Sequence, residues 1–96
     1  MIARIVKIKC ITGMEDQLIR VGKNKLVSLN VKAGCIEVHF LEPNHEDDNP
    51  HFGVISLWKD QQSLNSLRNN KEYRSLQSEL APLIDLITEE IYTVSD

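Results

Sequence analysis

The apolar residues of this chain switch period in a fixed order, and that order leaves few folds open. From Val6 to Cys10 the text reads Val-Lys-Ile-Lys-Cys, apolar alternating with basic. A period of two marks a strand with one wetter face, and residues 2–11, rich in β-branched side chains, read as the first strand. From residue 14 to residue 32 the spacing becomes helical. Met14, Leu18, Gly22, Leu26 and Leu29 share a face, whereas Glu15, Lys23, Asn30 and Lys32 lie off it. The pattern predicts an amphipathic helix of about 18 residues, roughly 27 Å long at 1.5 Å per residue. Thr12 or Gly13 would cap it, with Glu15 and Asp16 in the positive first turn. Gly22, which costs about 1 kcal/mol against Ala inside a helix, would let a strand come close. Gly34 would end the helix in the left-handed conformation.

Residues 35–41 alternate again, with Ile36, Val38 and Phe40 in one row and Cys35, Glu37, His39 and Leu41 in the other. Residues 42–50 are polar, hold two prolines and predict a loop. Residues 51–58 form a third strand. Phe52, Val54, Ser56 and Trp58 face one way, and Gly53, Ile55 and Leu57 the other. The short connection makes these two strands an antiparallel hairpin. Asp60 is the expected N-cap of a helix edged by Leu64 and Leu67, interrupted at residues 68–71. A second helical stretch carries Tyr73, Leu76, Leu80, Leu83 and Ile84, with Pro82 bending it or starting a new turn. Residues 88–94 read as a short last strand, Ile91 and Thr93 opposite Tyr92 and Val94.

The order β-α-β-β-α-β predicts an α+β, ferredoxin-like single domain over residues 1–96: one antiparallel sheet with helices on one face. Cys10 and Cys35 then fall at opposite ends of the sheet, too far apart for a disulfide. Free thiols make a reduced, cytoplasmic compartment the expectation. The uncovered face would carry a share of Ile2, Ile5, Ile11, Leu41, Ile55 and Leu57. So broad an apolar face should not stay wet. A second copy packed face to face would cover it, so the expected assembly is a homodimer closed into a barrel.

Charge and motifs narrow the function. Eleven Lys and Arg against fourteen Asp and Glu give a net charge of −3. No basic surplus exists to grip phosphates, so no nucleic acid partner is expected. No apolar run approaches the roughly 20 residues that span a bilayer, so no membrane partner is expected either. The amino-terminal residues alternate apolar with basic and lack the apolar core of a signal peptide. No GxGxxG, Walker, GxSxG or HExxH motif appears, so no cofactor is expected. His45 and His51 flank Glu46, Asp47 and Asp48 without the spacing of a zinc site, and the segment reads as a solvated hairpin tip with no metal. Cys35 has no basic neighbour and reads as an inert thiol.

Three residues are candidates for chemistry. His39 lies mid-strand on the more polar row beside Glu37. It is either a strand histidine satisfied by a neighbour or a partner, or a pocket residue able to move a proton. Trp58, the single tryptophan, closes the third strand as a core aromatic or as a flat wall for an aromatic ligand. Tyr73 faces inward from the last helical stretch, where its hydroxyl would satisfy a buried group or reach a ligand.

Taken together, Ala33-Gly34-Cys35-Ile36, the segment Phe52-Gly53-Val54-Ile55-Ser56-Leu57-Trp58-Lys59-Asp60, and Leu64, Leu67 and Tyr73 resemble the antibiotic biosynthesis monooxygenase (ABM) domain. The resemblance implies a dimeric α+β barrel with a pocket between sheet and helices. It also implies oxygenation of a small aromatic or quinol-type substrate without metal, flavin or haem, the protein positioning and deprotonating a substrate whose anion reacts with oxygen. Trp58, Leu67 and Tyr73 would then contact the substrate. The family often has Glu where this chain has Ser56, and His where it has Leu67. Its His-aromatic pair is Glu72-Tyr73 here. Haem-degrading relatives carry Trp and His at positions that here are Leu67 and Gln77, which argues against haem degradation. With Leu67 in the place of the family histidine, His39 is the candidate base. The alternatives are a non-catalytic small-ligand-binding or regulatory dimer of the same fold, and a purely structural module.

Overall fold

In a computed structural model describing residues 1–95, strand β1 (Ile2–Cys10) is the hub of a four-stranded antiparallel sheet. It pairs with β3 (Phe52–Trp58) on one side and β4 (Ile84–Thr93) on the other, and β2 (Glu37–Leu41) flanks β3. The order β2-β3-β1-β4 is that of a ferredoxin-like α+β domain, as the alternation of periods predicts. Register fixes which side chains face the helices. Arg4, Val6 and Ile8 of β1 are buried there, as are Phe52, Val54, Ser56 and Trp58 of β3. Ile2 also belongs to this side and packs against the Trp58 cluster, which corrects its expected place on the uncovered face. Ile11 lies past the end of β1, its N–H bonded to the Leu83 carbonyl.

The first helical segment is continuous but not uniform. α1 (Glu15–Val21) runs into a π-helical turn (Gly22–Leu26) and then α2 (Val27–Lys32). Leu18, Gly22 and Leu26 are buried as the spacing predicts, whereas Met14 is exposed. The Phe40 ring of β2 lies directly on Gly22, so close that any side chain there would collide with it. That contact is the close approach the interior glycine allows. No Thr12 cap forms. Glu15 instead folds back to accept the Gly13 N–H at 2.6 Å. Gly34, at φ +95°, ends the segment, and the N–H groups of Gly34 and Cys35 bond back to Val31 and Asn30.

Asp60 caps α3 (Gln61–Arg68) by accepting the Ser63 N–H at 2.8 Å. Asn70 caps α4 (Lys71–Leu80) in the same way, which explains the interruption between the two helices. The helix does not run on through Leu83 and Ile84. A 3-10 turn over Ala81–Leu83, with Pro82 near its start, ends it, and β4 begins at Ile84, four residues before the expected strand. Pro82 brings no N–H to a continuing helix, and that missing donor is the physical reason. Where β4 joins β1 the register slips, Lys9 facing Leu86 and Cys10 facing Ile84, so Asp85 bulges out.

Two clusters make the core. The larger joins Val6, Ile8, Val54 and Phe52 of the sheet to Leu18, Leu26, Leu76 and Leu80 of the helices. The smaller is Trp58, Leu64, Leu67 and Tyr73. The opposite sheet face bears Ile5, Leu41, Ile55 and Leu57, with no helix over it among the described residues.

Candidate active site

A cavity of about 520 Å³ lies between the helix-facing side of β1 and β4 and the flank of α4. Val6, Ile8, Val54, Leu26 and Leu80 give it an apolar floor and inner wall. Residues 85–89 of β4, an edge strand, form its outer wall. Pockets of this size and lining suit small organic ligands.

One end of the cavity is polar. Arg4 sits on the helix-facing row of β1 and is 7% exposed. Its direct partner on β4 is Ile91; Glu89, opposite Val6, is its diagonal neighbour on the same face. Arg4 Nε donates to Glu89 Oε2 at 2.7 Å, and Arg4 Nη2 lies 2.6 Å from the same oxygen. Arg68, at the end of α3, donates to Glu89 Oε1 at 2.7 Å. Glu89 therefore ties β4 to both β1 and α3. Partial burial pushes its pKa up. The hydrogen bonds and charges of Arg4 and then Arg68 outweigh that, holding the carboxyl below its ordinary value. Arg4 Nη2 also donates to Tyr73 Oη at 2.7 Å. Tyr73 comes from the first turns of α4, is 6% exposed, and lines the cavity beside Arg4.

Of the residues singled out from the sequence, Tyr73 alone lines this cavity. Trp58 is completely buried behind it, packed with Leu64 and Leu67, and its indole N–H donates to Ser56 Oγ at 2.9 Å. Ser56 is thus the indole's partner. Leu67 is likewise sealed in the core. His39 stands on the uncovered sheet face, exposed, with Nε2 2.7 Å from Glu37 Oε1. It is on the far side of the sheet from the cavity. Arg4 and Glu89 escaped the sequence reading. A basic residue in an alternating strand looks like its wet face, and Glu89 lies in a run of charged and polar residues whose inward member periodicity does not single out.

At the other end of the sheet, Cys10, His45 and His51 border a second, open cleft with Glu15 and Glu42. Among the described residues no three His, Cys, Asp or Glu side chains gather closely enough to hold a metal ion. Burial pushes both thiols up, Cys10 further raised by the nearby Glu15 charge, so neither is poised as a thiolate.

An antiparallel sheet with helices on one face, and an apolar cavity between the two layers, define a ferredoxin-like α+β domain. Residues 1–79 match the model of the antibiotic biosynthesis monooxygenase family, and the chain belongs to that family. The match ends before β4, so Arg4 and Tyr73 fall within it and Glu89 beyond it. No curated protein matches the sequence. Solved structures share the fold at low identity. A candidate antibiotic biosynthesis monooxygenase from Nitrosomonas europaea superposes with a TM-score of 0.84 at 14% identity, covering 98% of each chain. The protein PA3566 from Pseudomonas aeruginosa gives 0.80 at 19% identity, covering 98% of this chain and 94% of its own. SnoaB, a cofactor-independent oxygenase from Streptomyces nogalater, gives 0.83 at 11% identity, covering 99% and 93%.

Proposed function

We propose that the chain binds a small aromatic or quinol-type molecule in the cavity between β1, β4 and α4 and oxygenates it without a cofactor. The observation that carries this reading is the cavity itself: about 520 Å³, apolar along its length, with one polar end. Family membership supports oxygenase chemistry, and SnoaB, of the same fold, is a cofactor-independent oxygenase. In such a reaction the deprotonated substrate supplies the electrons to oxygen. The protein's part is to hold the ring flat, exclude water and favour the anion. Trp58 and Leu67 serve from behind, fixing Tyr73 in place. The reading gives His39 no role in this cavity, because it faces away.

The protein acts as a homodimer in this proposal. Ile5, Ile55, Leu57 and Leu41 leave an apolar sheet face that a second copy would cover, placing His39 at the interface. No helix among the described residues is long and apolar enough to cross a membrane, and the two free thiols favour the cytoplasm.

Oxygen uptake with a dihydroxyanthracene or a benzene quinol in chelator-treated buffer tests the reading. The wild-type chain and His39→Ala are expected to consume oxygen at equal rates. Leu80→Trp, which fills the cavity from α4, is expected to abolish uptake while the far-ultraviolet circular dichroism is retained. Uptake no faster than without protein would defeat it. One observation favours a second reading, a non-catalytic ligand-binding dimer. The resemblance puts the family's histidine at Leu67, buried in the core, and among the described residues the only carboxylates lining the cavity, Asp85 and Glu89, are both ion-paired. That reading predicts binding of aromatic ligands with no oxygen uptake.

A further inference from the structure

The polar end of the cavity offers hydrogen-bond donors and lacks acceptors to match. Arg4 uses Nε and Nη2 on Glu89 and Tyr73, and its Nη1 amino group makes no hydrogen bond among the described residues. Tyr73 Oη accepts from Arg4, and its own hydrogen finds no acceptor among those residues. Both side chains are more than nine-tenths buried and both line the cavity. Arg4 Nη1 is not among the sealed, unsatisfied atoms of the core, so it stays open as a donor to a molecule in the cavity. Arg4 is the one cationic side chain lining the cavity among the described residues.

We propose that the cavity selects a flat apolar ligand carrying one anionic oxygen group, a carboxylate or a phenolate. That oxygen would accept from Arg4 Nη1 and the Tyr73 hydroxyl, while the apolar body runs along Val6, Ile8, Val54 and Leu80. This names the ligand class of the site proposed above and rests on that site, but not on any turnover. Arg4 keeps Tyr73 Oη occupied as an acceptor, so the hydroxyl hydrogen is left to point at the ligand. Glu89, itself fastened by Arg68, holds the guanidinium in place. Charge-assisted bonds from both donors to an anion are roughly twice as strong as bonds to a neutral acceptor. An isosteric neutral ligand should therefore bind much more weakly.

Isothermal titration of the full chain at pH 7 with 2-naphthoate, naphthalene-2-carboxamide and 2-naphthylamine tests this. Naphthoate is expected to bind at least tenfold more tightly than the carboxamide, and the amine more weakly than either. Tyr73→Phe removes the hydroxyl and with it one acceptor of Arg4 Nη2, whose pairing with Glu89 remains, and is expected to cut naphthoate affinity three- to tenfold while leaving the carboxamide within twofold. Arg4→Met, if it folds by circular dichroism, is expected to erase the preference. 2-Naphthol, titrated by its absorbance, should lose its proton at lower pH when bound. Equal affinities for the three probes, no binding of any, or an unchanged preference in Tyr73→Phe would each overturn the proposal. Oxygen uptake from a quinol with no anion preference would sink this inference and leave the oxygenase reading standing. Tight naphthoate binding without uptake would do the reverse.

Discussion

The hydroxyl of Ser56 accepts the indole N–H of Trp58 at 2.9 Å, from two residues back along the same face of β3. Both side chains are fully buried. Ser56→Ala leaves that N–H without a partner in the core, a cost of about 1–3 kcal/mol. Thermal unfolding should fall accordingly, by about 4–8 °C per kcal/mol for a domain of this size. An unchanged melting temperature would mean the bond contributes nothing.

Gly22 has the Phe40 ring where a side chain would be. Gly22→Ala should therefore destabilise the domain by about 1–3 kcal/mol, although alanine is the better helix former. Phe40→Leu opens room. In urea unfolding the double variant should recover part of the loss, a coupling that independent sites would not show.

Glu89 is held ionised by Arg4 and Arg68. A carboxyl whose folded pKa is depressed stabilises the native state above its unfolded pKa, and the gain disappears as pH falls through the folded value. Glu89→Gln should thus be less stable than wild type from pH 6 to 8. The partly exposed pair limits the difference to about 1 kcal/mol. Urea midpoints measured downward from pH 5 should converge. A constant gap down to pH 2 would show the carboxylate's charge is not what stabilises.

Asn30 is fully buried, with Nδ2 on the Leu26 carbonyl at 2.8 Å and Oδ1 bonded to nothing among the described residues. The bare oxygen is a standing cost of about 1–3 kcal/mol. Asn30→Leu, which keeps the number and branching of the heavy atoms, should leave stability unchanged or raise it. A loss above 1 kcal/mol in urea unfolding would show that the Nδ2 bond outweighs the orphaned oxygen.

Ile55 lies between Ile5 and His39 on the uncovered sheet face. Ile55→Lys should keep the fold and, by sedimentation velocity at micromolar concentration, shift the proposed dimer to monomer. A wild-type chain that sediments as a monomer would refute the dimer directly.

Much of this architecture can be read from spacing. The strand faces of β2 and β3 follow from strict alternation, and the caps at Asp60 and Gly34 from residues whose chemistry suits few other positions. Where the reading fails, tertiary contacts overrule local pattern. Leu83 and Ile84 continue a helical spacing that Pro82 physically ends. Arg4 looks like a wet-face residue until Glu89 and Tyr73, 85 and 69 positions away, are brought beside it. The candidate site was legible only at Tyr73, because an inward tyrosine on a helix face carries its own signal. Trp58 and Leu67 matched the resemblance in sequence, yet lie behind the cavity rather than in it. No pattern marks a pocket whose outer wall is an edge strand the periodicity truncates.

That outer wall has a consequence for synthesis. β4 follows every other element the cavity uses, so a nascent chain on the ribosome exposes Arg4 and the apolar floor long before Glu89 arrives to bridge them. β1 must hold its place through β3 alone until the closing strand docks, and a slow codon tract ahead of residue 84 would prolong the interval in which a greasy trough lies open to chaperones.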